Sequence, residues 1–311
     1  MRDTILFGDC RETLKEFDGK ARTCVTSPPY YGLRDYGGEE SQIGQEQTPE
    51  EYIQNLVEVF RSVRDVLTDD GTLWVNIGDS YYNYRPGKGQ ALPKQTVSKT
   101  KQDLPDKCAK RGNKLEGLKE KDLIGIPWML AFALRADGWY LRQDIIWHKP
   151  NPMPESVKDR CTKSHEYIFL LSKNRKYYYN NEAIKEPVKQ DWGTRDRTKG
   201  KYHNPGTGLV PHSGLSKSYD RKNKRDVWTV TNKPYKGAHF AVYPPDLIEP
   251  CIKAGSEEGD IVLDPFMGSG TTALVSKSLN RHYIGCELHE DYGRLIQKRL
   301  SEKSFARLRL E

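Results

Sequence analysis

Apolar positions along this chain alternate between two periods. Short stretches rich in apolar and β-branched residues occur at 4–7, 22–26, 72–77, 167–171, 261–263 and 283–286 and read as strands, and 140–148 is strand-like as well. Between them the apolar residues recur at helical spacing. Leu14 and Phe17 mark a short helix over 11–17. Thr48-Pro49-Glu50-Glu51 opens a longer one, with Thr as N-cap, Pro at the first position and Glu three residues on. Its apolar face is Tyr52, Leu56, Val59, Phe60 and Val63. Further helices are expected over 127–136, 245–253, 270–279 and 290–301. Strands with no polar face, alternating with amphipathic helices, predict a parallel sheet covered on both sides. The expectation is therefore an α/β fold, doubly wound, with a mostly parallel seven-stranded sheet. The strands at 140–148 and 167–171 are expected to form the hairpin that ends it, and Asp69-Asp70-Gly71 a turn before the strand at Thr72.

In two stretches the pattern dissolves. Residues 83–121 turn to Lys, Gly, Pro and Gln, which predicts a mobile loop, and residues 185–236 are polar and rich in Gly, Asn and aromatics. The chain thus divides into a first part over 1–184, an insertion over 185–236 and a closing part over 237–311. Charge follows the same division. Over all 311 residues the 50 Lys and Arg exceed the 43 Asp and Glu by 7. Residues 85–122 carry a net +6 and residues 189–236 a net +8, leaving −7 for everything else. An acidic body with basic charge confined to two stretches suits a polyanionic partner.

The six cysteines (Cys10, Cys24, Cys108, Cys161, Cys251 and Cys286) include no CxxC pair, so neither a disulfide framework nor a zinc site is expected. Cys10, Cys24 and Cys286 sit in apolar strand contexts and read as buried free thiols. No apolar run reaches spanning length; the longest, 126–134, contains Pro127. The start is unlike a signal peptide, and a soluble, cytoplasmic protein without metal is the expectation.

Two segments carry candidate chemistry. The first, Thr26-Ser27-Pro28-Pro29-Tyr30, follows the apolar Cys24-Val25; the second, Asp264-Pro265-Phe266-Met267-Gly268-Ser269-Gly270-Thr271-Thr272, follows Ile261-Val262-Leu263. Each places a sharp loop at the carboxyl end of a strand, where open α/β sheets bind ligands. In the second, Gly268 and Gly270 before a helix would let a ligand approach backbone N–H groups at the positive helix end. It lacks the Gly-Lys-Ser/Thr of a P-loop and the third glycine of a dinucleotide fingerprint. A tight turn without a ligand is the plain alternative. Glu287 at the end of the following strand weighs against it, since an acid about twenty residues on is the usual acceptor for ribose hydroxyls. In the first segment, a Ser hydroxyl and a proline-fixed carbonyl could accept both hydrogens of an amine, with Tyr30 stacking on a base swung out of its helix.

Together these segments resemble the acceptor and cofactor motifs of DNA amino-methyltransferases. The order, with the acceptor motif first, then the insertion, then the cofactor loop, is similar to the β class. Leu6-Phe7-Gly8-Asp9-Cys10 resembles that family's motif III, Val25 to Tyr30 its motif IV, residues 71–78 its motif VI and His239 to Pro244 its motif X. The resemblance implies S-adenosylmethionine as methyl donor and double-stranded DNA as partner, with base flipping, in the setting of restriction-modification. It implies catalytic roles for Ser27, Pro28, Pro29 and Tyr30. It implies cofactor contacts at Asp9 (toward adenine), Cys10, Asp264, Pro265, Phe266, Gly268, Ser269, Gly270, Thr271 and Glu287 (toward ribose). Family usage pairs Ser-Pro-Pro-Tyr mainly with cytosine N4; adenine N6 is the alternative, and an RNA or protein-glutamine methyltransferase or a non-enzymatic DNA-binding module a more distant one.

Weaker signals remain. Tyr31, Tyr36 and Arg34 line a base pocket or pack locally. Trp147-His148-Lys149 reads as a strand end with a basic tip, and His165-Glu166, with no second metal ligand at useful spacing, as structural. The insertion interleaves Tyr202, Tyr219 and Trp228 with Arg195, Arg197, Arg221, Lys222, Lys224 and Arg225, expected as the DNA-recognition surface.

Overall fold

The structure, a computed structural model, describes residues 1–32, 42–82, 115, 117–188, 220–232 and 243–301. Its elements in order are β1 (Thr4–Phe7), α1 (Cys10–Thr13), β2 (Ala21–Thr26), α2 (Pro49–Val66), β3 (Leu67–Ile77), α3 (Ile126–Ala136), β4 (Tyr140–His148), β5 (His165–Ser172), β6 (Glu186–Pro187), β7 (Arg221–Lys222), β8 (Val227–Thr229), α4 (Pro245–Gly255), β9 (Ile261–Asp264), α5 (Thr271–Ser278), β10 (His282–Glu287) and α6 (Asp291–Leu300). The main sheet runs β1-β10-β9-β2-β3-β5-β4-β8. It is doubly wound and mostly parallel, as expected. β5 alone runs against its neighbours, pairing antiparallel with β3 and β4. Every other strand therefore ends on the same edge.

The sheet has eight strands rather than seven. The extra strand, β8, comes from inside the insertion and pairs parallel with β4, Ile146 opposite Val227 and His148 opposite Thr229. Three residues between charged neighbours leave no period to read, yet Trp228 is buried and its indole donates to the Arg225 carbonyl at 2.6 Å. The β4–β5 hairpin therefore does not end the sheet. Asp69-Asp70-Gly71 is also absorbed: β3 begins at Leu67, and its register against β2 jumps from Ala21↔Leu67 to Thr23↔Thr72, so the expected turn is a bulge in the strand.

Alternate side chains along the central strands feed two cores. Leu73, Val75 and Ile77 of β3 face Leu56, Phe60, Val63 and Leu130 of α2 and α3. Trp74 and the β5 residues Ile168 and Leu170 face Leu247, Ile248 and Cys251 of α4. α2 starts as the sequence predicts, with a reciprocal capping box between Thr48 and Glu51. Cys10, Cys24, Cys251 and Cys286 are buried free thiols. Among the described residues no helix is long and apolar enough to cross a membrane.

Candidate active site

Because the strands end on one edge, the residues that follow them gather there: Asp9 after β1, Ser27 after β2, Gly78 and Asp79 after β3, Lys149 after β4, Asp264 at the end of β9 and Glu287 at the end of β10. Glu166, second residue of the reversed β5, enters from the same edge. The sheet thus brings the two motifs of the sequence together.

A buried carboxylate joins them. Asp264 is fully enclosed, and its Oδ1 accepts from the Thr26 hydroxyl at 2.6 Å and the Phe266 amide at 3.0 Å. Its Oδ2 accepts from the Tyr243 hydroxyl at 3.0 Å and the Thr272 hydroxyl at 2.5 Å. Burial pushes this carboxyl above its usual range while the four donors pull the other way. With all four donors supplied by the protein, Asp264 ties the acceptor loop to the cofactor loop rather than facing a ligand, which corrects its expected cofactor contact.

The acceptor loop is held from two sides. Tyr52 of α2 donates its hydroxyl to the Pro29 carbonyl at 2.7 Å. On the other side the Tyr30 hydroxyl donates to Glu166 Oε2 at 2.6 Å and lies 3.4 Å from Asn76 Oδ1. Asn76 Nδ2 donates to the same Glu166 oxygen at 3.2 Å and to the Tyr167 carbonyl at 3.2 Å. Lys149 closes the set, its ammonium bonded to Glu166 Oε1 and set over the Trp147 ring. Burial, then the Glu166 carboxylate, hold the Tyr30 phenol well above its ordinary range, so it stays a donor. Its ring lies on Gly78, where an added Cβ would stand 2.7 Å from Tyr30 Cε2.

The cofactor loop departs from expectation in how it uses its backbone. The Phe266 amide goes to Asp264, Met267 to the Cys286 carbonyl, Gly268 to Glu287 Oε2 at 2.7 Å and Gly270 to the Met267 carbonyl. The amides of the two glycines are thus taken within the protein, and Gly268 and Gly270 supply the shape of the loop. Gly270 sits at φ +80, where L side chains are strained, and a Cβ there would approach Ile296 of α6 to 2.9 Å. Ser269 and Thr271 are buried as well, and Arg299 of α6 donates to both hydroxyls. Pro265 is enclosed, whereas Phe266 and Gly268 remain half-open toward the edge.

Glu287 and Asp9 flank this loop. Glu287 is 8 % exposed and, among the described residues, makes no ion pair; its Oε2 takes the Gly268 amide and its Oε1 the His289 amide at 3.1 Å. Burial pushes its carboxyl up to about 7. Asp9 caps α1 through the Arg11 amide at 2.8 Å and pairs with the Arg11 guanidinium at 2.6 Å. Burial opposes ionisation there, but the Arg11 hydrogen bonds outweigh it and the carboxyl lies below its usual value. Cys10 is buried beside it and its thiol is pushed up by desolvation.

The basic residues expected to hold DNA fare differently. Arg195 and Arg197 lie outside the described residues, as does most of the 83–121 stretch and of the motif at 239–244. Arg221 and Lys222 form β7, and Arg221 donates to the Lys185 carbonyl at 2.8 Å. Glu186 pairs with Arg225 at 3.2 Å and with Lys224 at 3.8 Å, and Lys224 also lies over the Trp228 ring. All four precede β8, whose carboxyl end points to the active edge, so the fold does not bring them to Ser27.

Asn76, Lys149 and Glu166 escaped the sequence reading. Asn76 carried a signal, as the lone amide in an otherwise apolar strand. Glu166 and Lys149 carried none, because only the antiparallel pairing of β4 and β5 sets Trp147 opposite Glu166.

The comparisons with known proteins agree with this geometry. The family model described as DNA methylase, of the N6/N4 group, matches residues 21–298. The chain is 47% identical over 302 residues to the type II methyltransferase M.SmaI of Serratia marcescens, covering 95% of this chain and 90% of that protein. It is 47% identical over 298 residues to the type II methyltransferase M.Cfr9I of Citrobacter freundii, with 96% and 87% covered. Among solved structures, the PvuII DNA methyltransferase, named as cytosine-N4-specific, superposes with a TM-score of 0.60 at 17% identity over 98% of this chain and 90% of that one. A putative DNA modification methylase from Thermus thermophilus, complexed with S-adenosylmethionine, gives 0.58 at 22% identity, covering 95% and 92%. S-adenosylmethionine is the family's methyl donor. The site suits it: a buried carboxylate with no ion pair among the described residues, Glu287, beside a half-open glycine loop can accept ribose hydroxyls and favours a positively charged ligand. The chain belongs to the N6/N4 DNA methylase family and is an S-adenosylmethionine-dependent DNA methyltransferase.

Proposed function

We propose that this enzyme methylates the exocyclic N4 of cytosine in double-stranded DNA, acting on a base swung out of the duplex. The observation that carries the reading is the 2.6 Å hydrogen bond from Thr26 to Asp264, which fixes Ser27, the next residue, against the loop that holds the methyl donor. S-adenosylmethionine supplies a methyl group already activated by positive sulfur, so the chain need not provide a strong base. Its task is to orient the amine, whose lone pair is delocalised into the ring. Ser27 accepts one N–H. The Pro29 carbonyl is taken by Tyr52, which leaves the Pro28 carbonyl for the other. Two acceptors held by rigid prolines favour pyramidal nitrogen and direct its lone pair at the methyl group. The nitrogen gains the methyl as the S–CH3 bond breaks, which would leave a neutral thioether, and it loses one proton to water.

Glu287 takes the ribose hydroxyls and Asp9, at the adjacent strand end, the adenine side. Asp264, Ser269, Thr271 and Pro265 maintain the loop from behind. DNA lies across the edge where the strands end. Digesting methylated duplex to nucleosides and identifying the product by mass tests the reading: N4-methylcytosine is expected, and N6-methyladenine would transfer the same machinery to adenine.

A further inference from the structure

The loop over 149–164 takes no part in the methyl transfer, yet it stands on the active edge. β4 ends there and β5 begins there, with the Lys149 amide bonded to the Ser164 carbonyl at 2.7 Å, so the residues between project beyond the sheet. Both arms of the loop rest on the acceptor site. Lys149 pairs with Glu166, which accepts from the Tyr30 hydroxyl. Lys163 donates to the Asp79 carbonyl at 2.5 Å, next to the Gly78 that lies against the Tyr30 ring, and Arg160 lies over the Tyr81 ring. The stretch between the arms is stiff. Prolines at 150, 152 and 154 fix every second φ and hold the residues before them extended. Asn151 exchanges two hydrogen bonds with the Asn232 backbone, at 3.0 and 3.1 Å, and Glu155 pairs with Arg160 at 2.5 Å. Between these two anchors Met153 is 70 % exposed, the most open large apolar side chain among the described residues. Four residues of chain put it at most about 14 Å from Lys149.

Single exposed apolar side chains are common and need no explanation by themselves. This one is carried on a backbone that cannot yield, at the edge where DNA lies. A base leaving the duplex gives up its stacking and opens a gap, and apolar side chains pushed between base steps occupy such gaps. We propose that Met153 is a wedge that enters the duplex at the place the target base vacates, while the base turns toward Tyr30. The proposal rests on the reading of this enzyme as acting on a base swung out of the duplex, whether cytosine or adenine. The stiff loop loses little freedom when it binds, and the unbranched Met side chain adapts to an irregular gap. Burying its open apolar surface offsets part of the cost of unstacking.

The test uses a short duplex carrying a base that the wild type methylates, and a second in which that base stands opposite a mismatch and is already unpaired. Each variant is compared with wild type on the same duplex by single-turnover methylation. Met153→Ala should be slower by about tenfold or more on the paired duplex and by less than about twofold on the mismatched one, because the mismatch removes most of the opening cost. Met153→Leu should stay near wild type on both, as an apolar side chain of similar volume. Cofactor affinity and Tm should be those of wild type, since the side chain is exposed. A wild-type rate for Met153→Ala on the paired duplex overturns the proposal. So does an equal loss on the two duplexes, the mark of a contact unrelated to opening, and so does a Leu variant as slow as the Ala one. A wild type that leaves all duplex DNA unmethylated would instead overturn the functional reading, and the wedge with it.

Discussion

Glu287→Gln should raise the stability of the ligand-free enzyme at alkaline pH while weakening its hold on the cofactor. Glu287 is buried beside two amides, and its carboxyl is pushed up to about 7 from 4.5. A raised carboxyl means that the folded state binds the proton more tightly than the unfolded state. The charge therefore costs nothing below about pH 4.5, an increasing amount between there and 7, and its full penalty above. At 1.36 kcal/mol per unit the full penalty is about 3 kcal/mol, of which about 2.5 appears between pH 5 and pH 8. Gln carries no charge and loses this dependence. It also loses an acceptor, since its NH2 must face one of the two amides, a constant cost of about 1–3 kcal/mol.

The two contributions separate by pH. Wild type should be the more stable protein at about pH 5, and the difference should shift toward the variant by about 2.5 kcal/mol at pH 8. Urea unfolding of both proteins at the two pH values measures it. Cofactor affinity should move the opposite way: ribose hydroxyls need the ionised carboxylate, so wild-type affinity should rise with pH up to about 7, and Gln should lose about 1–3 kcal/mol of binding above it. A stability difference that stays constant across the pH range refutes the argument, for it would mean that Glu287 is not buried as a charge.

Ser27→Ala should slow single-turnover methylation by about 2–4 kcal/mol of transition-state stabilisation and leave cofactor and DNA affinity unchanged; Ser27→Asp should be a poor enzyme of unaltered base preference, and a clean switch to adenine in the mass assay would place specificity at this one residue. Gly78→Ala should displace the Tyr30 ring, since the new Cβ would lie 2.7 Å from Cε2, and so lower the methylation rate with cofactor affinity kept, a split readable by calorimetry beside kinetics. Replacing Arg221, Lys222, Lys224 and Arg225 together should flatten the salt dependence of DNA binding by at most about 3 units rather than about 4, because the single charge of Glu186 already offsets one of theirs. A full flattening would show that the Glu186 pairs open when DNA binds.

The sheet, its winding and the meeting of the two motifs were legible in the sequence because each rests on local signals: apolar runs for the strands, Thr48 and Pro49 for the helix start, Ser27 and Asp264 at strand ends. What was not legible depended on pairing between distant segments. Val227 to Thr229 became a strand only by lying beside Ile146 to His148. Glu166 met Tyr30 only because β5 runs backwards beside β3. The partners of the loop glycines were hidden for the same reason: the acceptors that take their amides, Glu287 and the Met267 carbonyl, are fixed by the fold and not by the spacing of Gly268 and Gly270. Asp264 read as a ligand residue by its place at a strand end, and four donors from four separate residues made it a tie instead.

The treatment of the carboxylates divides the site into two halves that match its two proposed ligands. Glu166, on the side of the acceptor loop, is neutralised by Lys149, so a neutral base meets no net charge there. Asp264 and Glu287, on the side of the cofactor loop, are buried among neutral hydroxyls and amides and their carboxyls lie above the usual range. A positive sulfonium bound on the Glu287 side would lessen that cost, and would bind better for it than its product, in which the sulfur has lost its charge with the methyl group. The same burial that costs the empty enzyme stability thus biases the pocket toward the reactive form of the cofactor, while on the other side Lys149 compensates the charge of Glu166 beside Tyr30.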